Sequence, residues 1–236
     1  MLPRALIGDI KPENWLGFID AIYAIILTLL LIELPSSLLD LIKEYEQQPD
    51  LRWILLNSFM LSLFGYLAIF IIVYDIWAHH RVIVVEAALT RINLSLGILI
   101  LFLCSLVPPV YHVVSTLKHE ALSGGVSLIG EYSSIFWEAR LILYLIIFSV
   151  YGFVALIAAK DLRYFRRREG EAACRMIALK QLKDSSIAMV LSIVLISFLS
   201  LMGYISPPAP LVLIALCTHL PVDRLMLTLK RRIIGP

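Results

Sequence analysis

Six side chains able to hold a proton, a metal ion or a buried charge fall at the edges of apolar runs: Asp20, Asp75, His79, His80, Arg81 and Asn93. Asp20 sits in the first turns of a stretch, residues 14 to 33, long enough to cross a bilayer. A carboxylate near hydrocarbon is costly, so a membrane helix that keeps one has a partner or a task for it. The segment Asp75-Ile76-Trp77-Ala78-His79-His80-Arg81 closes the second apolar run, and Asn93 opens the third. If successive runs cross the membrane in alternate directions, all six residues share one polar layer. Three chemistries are open to that layer. It would hydrogen-bond the first three helices together, as buried polar groups require. An Asp/His chain would relay protons. Two histidines and two aspartates are also metal-ligand types. Adjacent histidines diverge by about 100° on a helix, which makes shared coordination of one ion awkward.

The elements that must position these residues are read from composition and hydropathy. The chain has 236 residues, 60% hydrophobic and 16% charged, whereas a soluble domain is nearer half apolar and about a quarter charged. The expected fold class is an all-α polytopic membrane protein, a single transmembrane domain over 1–236. Six transmembrane helices are expected near 15–35, 54–78, 91–111, 136–159, 186–205 and 209–228, each about the 20 residues that cross the hydrocarbon core. Ser206-Pro207-Pro208-Ala209-Pro210 reads as the reversal between the last two, because prolines stop helices and stiffen turns. The first run is too long for a signal-peptide core and has no small-x-small cleavage site, so it reads as a retained span. Cys104, Cys174 and Cys217 form no disulfide framework or zinc spacing and read as free thiols. No cofactor and no metal is expected, and a net charge of +2 gives no reason to expect a nucleic-acid partner.

Charge placement orients the chain. With the N-terminus inside, sixteen lysines and arginines fall in the inner segments against three in the outer ones, Lys43, Arg52 and Lys118. That bias places both termini in the cytoplasm. The basic run from Lys160 to Lys183 reads as a continuation of the fourth helix, either a solvated linker or a surface for anionic lipid headgroups. At the opposite end of that helix, Arg140 reads as a partner of Glu138 or as a snorkelling cation.

On a helical projection Ala21, Ile25, Thr28, Leu29, Ile32 and Ser36 share one face of the first helix, an apolar stripe broken by a single hydroxyl. Asp20 points well over 90° away from it, towards neighbouring helices. Glu33 is offset from the stripe and reads as packing or snorkelling. There is no Thr-Val-Gly-Tyr-Gly filter loop; Phe64-Gly65-Tyr66 and Met202-Gly203-Tyr204 are isolated glycine–tyrosine pairs. Gly-x-Ser-x-Gly, His-Glu-x-x-His and phosphate-cradling loops do not occur. Arginines do not recur every third residue inside a span, so a voltage sensor is not indicated. The chain is not expected to be an enzyme.

Asn14-x-x-x-Phe18-Ile19-Asp20, followed by Ala21 to Leu30, resembles the opening helix of the transmembrane protein 175 family of potassium channels, whose signature is Arg-x-x-x-Phe-Ser-Asp. Trp77-Ala78-His79-His80-Arg81 is similar to the family's Trp-x-x-His-His stretch, and Asn93 and Val107-Pro108-Pro109 fit its third helix. Asn14 replaces the signature arginine and Ile19 the serine. The resemblance covers residues 14–112 closely. It implies a homotetramer with helix one of each subunit lining a central pore. The constriction would be Ile25, Leu29 and Ile32, with Thr28 contributing to selectivity. Phe18, Asp20, Asp75, Trp77, His79, His80 and Asn93 would form a structural polar network. Such a neck conducts only when wide enough to hydrate, so a ring of isoleucines gates by dewetting.

The resulting expectation is a homotetrameric cation channel favouring potassium ions, in a lipid bilayer. The alternatives are a proton-coupled or proton-conducting transporter using the Asp20/His79/His80 layer, and a non-conducting membrane scaffold. Short loops and small size suggest a bacterial or archaeal inner (plasma) membrane.

Overall fold

The structure is a computed structural model that describes residues 12–47, 52–87, 90–114, 129–165, 173–202 and 209–219. Within these the fold is all-α: α1 Pro12–Gln47, α2 Arg52–Glu86, α3 Arg91–Ser105, α4 Ile129–Phe165, α5 Ala173–Leu201 and α6 Ala209–His219. Five stretches among the described residues are long and apolar enough to span a membrane: Trp15–Ile32, Leu63–Glu86, Arg91–Val114, Glu138–Arg163 and Arg175–Ser200. The chain is therefore a polytopic membrane protein. The sixth expected span, 209–228, is described only over α6, and its remainder lies outside the described residues.

The helices outrun their apolar cores. α1 has 36 residues, about 54 Å at 1.5 Å per residue, against roughly 30 Å of hydrocarbon. Pro35 lies inside it. Lacking an N–H, proline leaves the carbonyl four residues earlier, on Leu31, without its helical partner. α3 starts on an N-cap, Thr90, whose side chain accepts the Asn93 N–H at 3.2 Å. It is interrupted at Leu106 and resumes over 107–114, where Pro108 and Pro109 fall in the first turn, the part of a helix that tolerates proline.

Two sequence expectations shift. The apolar part of α2 is Leu63–Glu86, displaced towards its C-terminus relative to 54–78, and that of α5 is Arg175–Ser200 rather than 186–205. The basic run Lys160 to Lys183 does not continue one helix. α4 ends at Phe165 and α5 begins at Ala173, so its described cations divide between two packed helices, Lys160 and Arg163 on α4 and Arg175, Lys180 and Lys183 on α5, while Arg166, Arg167 and Arg168 lie outside the described residues. A periodic apolar signal marks where a helix can be buried, and basic residues of high helix propensity do not by themselves end one.

α2 is the hub, packing against α1, α4, α5 and α6, while α4 and α5 form the most extensive pair. Ile69, Ile72, Val73 and Ile76 of α2 are fully buried. α1 lies at the edge, against α2 and α3. Its buried residues are Ile19, Tyr23, Ile26 and Leu30, spaced 4, 3 and 4 apart, which is one face of an α-helix. Inside a bilayer that face is held by close packing and interhelical hydrogen bonds.

Gly65 on α2 is where a glycine is required by space. A Cβ there would collide with the Tyr111 hydroxyl. Tyr111 packs edge-on against Tyr66, with ring centroids 4.8 Å apart. The glycine–tyrosine pair of the sequence is thus a packing device.

Candidate functional site

Two features of α1 are candidates for function, and they lie on different faces. The first is the apolar stripe. Ala21, Ile25, Thr28, Leu29 and Ile32 are all exposed, Ile25 at 59% and Ile32 at 64%. Of the five apolar spans, that of α1 is the least buried by the rest of the chain. Thr28 Oγ1 donates to the Ala24 carbonyl at 2.7 Å, so its hydroxyl is satisfied within the helix. Phe18 falls on this exposed side too, its ring stacked on Trp15 at 5.3 Å, away from the polar residues.

The second feature is the polar layer. The structure brings Asp20, Asp75, Trp77, His79, His80 and Asn93 to one end of the helices, but in separate groups with different partners. Asp20 receives the Trp77 indole N–H at 2.7 Å. Arg81 Nε lies 3.8 Å from the same carboxylate oxygen, and its guanidinium covers the Trp77 ring at 5.2 Å. Both charged side chains are about two-fifths exposed, so the ion pair itself contributes little. The indole bond is the specific tie between α1 and α2.

His79 turns the other way. Its Nδ1 donates to the Asp75 carbonyl at 2.8 Å and lies 3.3 Å from the Asp75 carboxylate, while its Nε2 is hydrogen-bonded to the Ser185 hydroxyl of α5 at 3.2 Å. Tyr151 of α4 donates to the Asp75 carboxylate and meets the His79 ring edge-on at 5.7 Å. This group joins α2, α4 and α5.

His80 is fully buried and faces α1 and α3. The Tyr23 hydroxyl lies 3.3 Å from its Nδ1 and 3.5 Å from Cys104 Sγ. Its Nε2 has no hydrogen-bond partner among the described residues and abuts Gly97, where a Cβ would stand 3.2 Å away. The two adjacent histidines therefore serve opposite sides of α2. Among the described residues, no three His, Cys, Asp or Glu side chains converge to hold a metal ion.

Asn93 belongs to a fourth group. Its Nδ2 donates to the buried Asp161 carboxylate of α4 at 2.9 Å, and Lys160 Nζ donates to Asn93 Oδ1 at 3.2 Å and Thr90 Oγ1 at 3.3 Å. Sequence reasoning missed Tyr23, Cys104, Tyr151, Ser185, Lys160 and Asp161. Only the last pair carried a signal, an adjacent cation and anion at the end of an apolar run. Arg140, at the far end of α4, is buried and donates through Nη2 to the Tyr144 hydroxyl at 2.9 Å, with its guanidinium over that ring.

Comparison with known proteins adds one match. Residues 16–108 fit the family model described as the endosomal/lysosomal potassium channel TMEM175. This is less than half of the chain, but it takes in the apolar part of α1, all of α2 and α3, and every residue of the polar layer except those on α4 and α5. No curated protein and no solved structure matches the chain significantly. The family is one of ion channels and not of enzymes, in keeping with a sequence that holds no catalytic constellation. The match corrects the expected location. The inner (plasma) membrane reading rested on loop length and size, whereas the family's description is endosomal/lysosomal. Loop charge sets orientation across a bilayer; neither it nor loop length says which bilayer. Over residues 16–108 the chain is similar to the TMEM175 family.

Proposed function

We propose that this chain is one subunit of a homotetrameric cation channel favouring potassium, built as a single six-span membrane domain with α1 of each subunit facing a central pore. The observation that carries the reading is the uncovered face of α1, apolar except for Thr28, in the segment that matches a potassium-channel family. A helix face that the protomer's own helices leave bare must meet lipid or another subunit. The opposite face of α1 is tied to α2 and α3 by Ile19, Tyr23, Ile26 and the Asp20–Trp77 bond, so the stripe cannot turn inward without breaking those contacts.

In this reading Ile25, Leu29 and Ile32 form stacked apolar rings that water leaves when the neck is narrow, and ions pass when it widens. Thr28 supplies the one hydroxyl at that depth, able to turn from its intrahelical bond to a passing ion. Asp20 and the groups around Trp77, His79, His80 and Asn93 hold α1 at a fixed attitude. They are structural in this reading, since each has its own partner on a neighbouring helix.

Potassium and sodium flux from proteoliposomes containing the purified chain tests the proposal, with Ile25→Asn alongside. Wetting the neck is expected to raise potassium efflux several-fold over the unmodified protein. Efflux that does not respond to Ile25→Asn, at equal incorporation, would remove α1 from the pore.

A further inference from the structure

The splitting of the basic run between two helices creates a site the sequence does not show. Ala159, Leu162 and Arg163 on α4 face Met176, Ile177, Lys180 and Lys183 on α5 across a cleft of about 450 Å³. The spacing puts each set on one helix face: i, i+3, i+4 on α4 and i, i+1, i+4, i+7 on α5. The walls are apolar and the rim is cationic. Arg163 and Lys180 are exposed and have no ion-pair partner among the described residues, while Lys183 lies 3.4 Å from the carboxylate of its neighbour Asp184. Among the described residues the rim thus holds three cations against one anion.

Position narrows the ligand. The apolar span of α4 ends at Arg163 and that of α5 begins at Arg175, so the cleft opens at the membrane edge, where headgroups lie. A soluble phosphate would use the cations and leave the apolar walls idle. A zwitterionic lipid would use the walls and gain little from the cations. An anionic phospholipid satisfies both, with its phosphate between Arg163, Lys180 and Lys183 and the upper part of an acyl chain against Leu162, Met176 and Ile177. We propose that the α4–α5 cleft is a binding site for one anionic phospholipid. The site does not depend on α1 being a pore, and its failure would leave that reading untouched.

The test uses the full-length protein reconstituted in equal amounts of phosphatidylglycerol and phosphatidylcholine, extracted gently, with retained lipid counted by native mass spectrometry. Basic residues at an anionic surface act additively, and three converging cations should give a preference for phosphatidylglycerol of about tenfold. Arg163→Gln/Lys180→Gln should reduce that preference to about twofold or less. The control Arg91→Gln/Arg175→Gln, which removes the same charge from exposed positions off the cleft, should keep it. Arg163→Lys/Lys180→Arg should keep it too, and reports on the site if the neutral pair does not incorporate. No preference in the unmodified protein overturns the proposal, as does equal loss in the control, which would mean diffuse surface attraction. Full displacement of phosphatidylglycerol by millimolar glycerol 3-phosphate would also overturn it, in favour of a soluble phosphate ligand.

Discussion

Tyr23→Phe isolates the bond that ties the candidate pore helix to the helix behind it. The substitution keeps the ring and removes only the hydroxyl, which lies 3.3 Å from His80 Nδ1 and 3.5 Å from Cys104 Sγ. Both contacts are long, so the bond itself is worth little. Interhelical hydrogen bonds in membrane proteins average about 0.6 kcal/mol and reach about 1.7 kcal/mol. The larger cost lies in what is left behind. His80 is fully buried and its Nε2 already has no partner among the described residues, so losing Tyr23 strands the whole imidazole. A stranded buried acceptor costs about 1–3 kcal/mol, and the expected total is about 1–2 kcal/mol. A double-mutant cycle with His80→Leu separates the two contributions. With the imidazole gone, Tyr23→Phe should cost less than about 0.5 kcal/mol. Reversible unfolding in mixed micelles, followed by tryptophan fluorescence, gives both numbers. If Tyr23→Phe costs the same in the two backgrounds, the hydroxyl is not serving His80 and the account of this group fails.

Two further substitutions test neighbouring contacts. Trp77→Phe removes the 2.7 Å bond to Asp20; a charge-assisted bond to a partly exposed carboxylate should cost about 1 kcal/mol, and Asp20→Asn should then add little, as the same unfolding measurement would show. Gly65→Ala should destabilise by about 1–3 kcal/mol through overpacking against the Tyr111 hydroxyl, and Tyr111→Phe in the same chain should restore most of the loss; thermal stability of the solubilised protein that is unchanged by Gly65→Ala would contradict the packing described.

How much of this could be read from the residues depends on the range of the interaction. The first face of α1 was legible, because Ile25, Thr28, Leu29 and Ile32 follow a local 3.6-residue period and the structure leaves all of them exposed. The common level of Asp20, Asp75, His79, His80 and Asn93 was legible from hydropathy and alternation of direction. Their partners were not. Asp161 meets Asn93 across 68 positions and Ser185 meets His79 across 106, and no local pattern encodes such pairings. Tyr151 and Cys104 gave no sign at all, since a tyrosine or cysteine within an apolar run looks like ordinary packing until a neighbour fixes its polar atom. Phe18 shows the reverse error. Motif adjacency placed it with Asp20, but two residues along a helix is a turn of about 200°, and its ring lies with the stripe.

Pro35 gives α1 a mechanical property. Below it, the helix is bolted to α2 and α3; above it, twelve further residues run to Gln47, past the length the hydrocarbon requires. The missing bond at the Leu31 carbonyl lowers the bending stiffness of the rod one residue from Ile32. Lateral force on the projecting arm is therefore taken up as flexure at that joint, beside Ile32, instead of as rotation of the whole helix. The arm works as a lever whose fulcrum sits at the end of the exposed stripe.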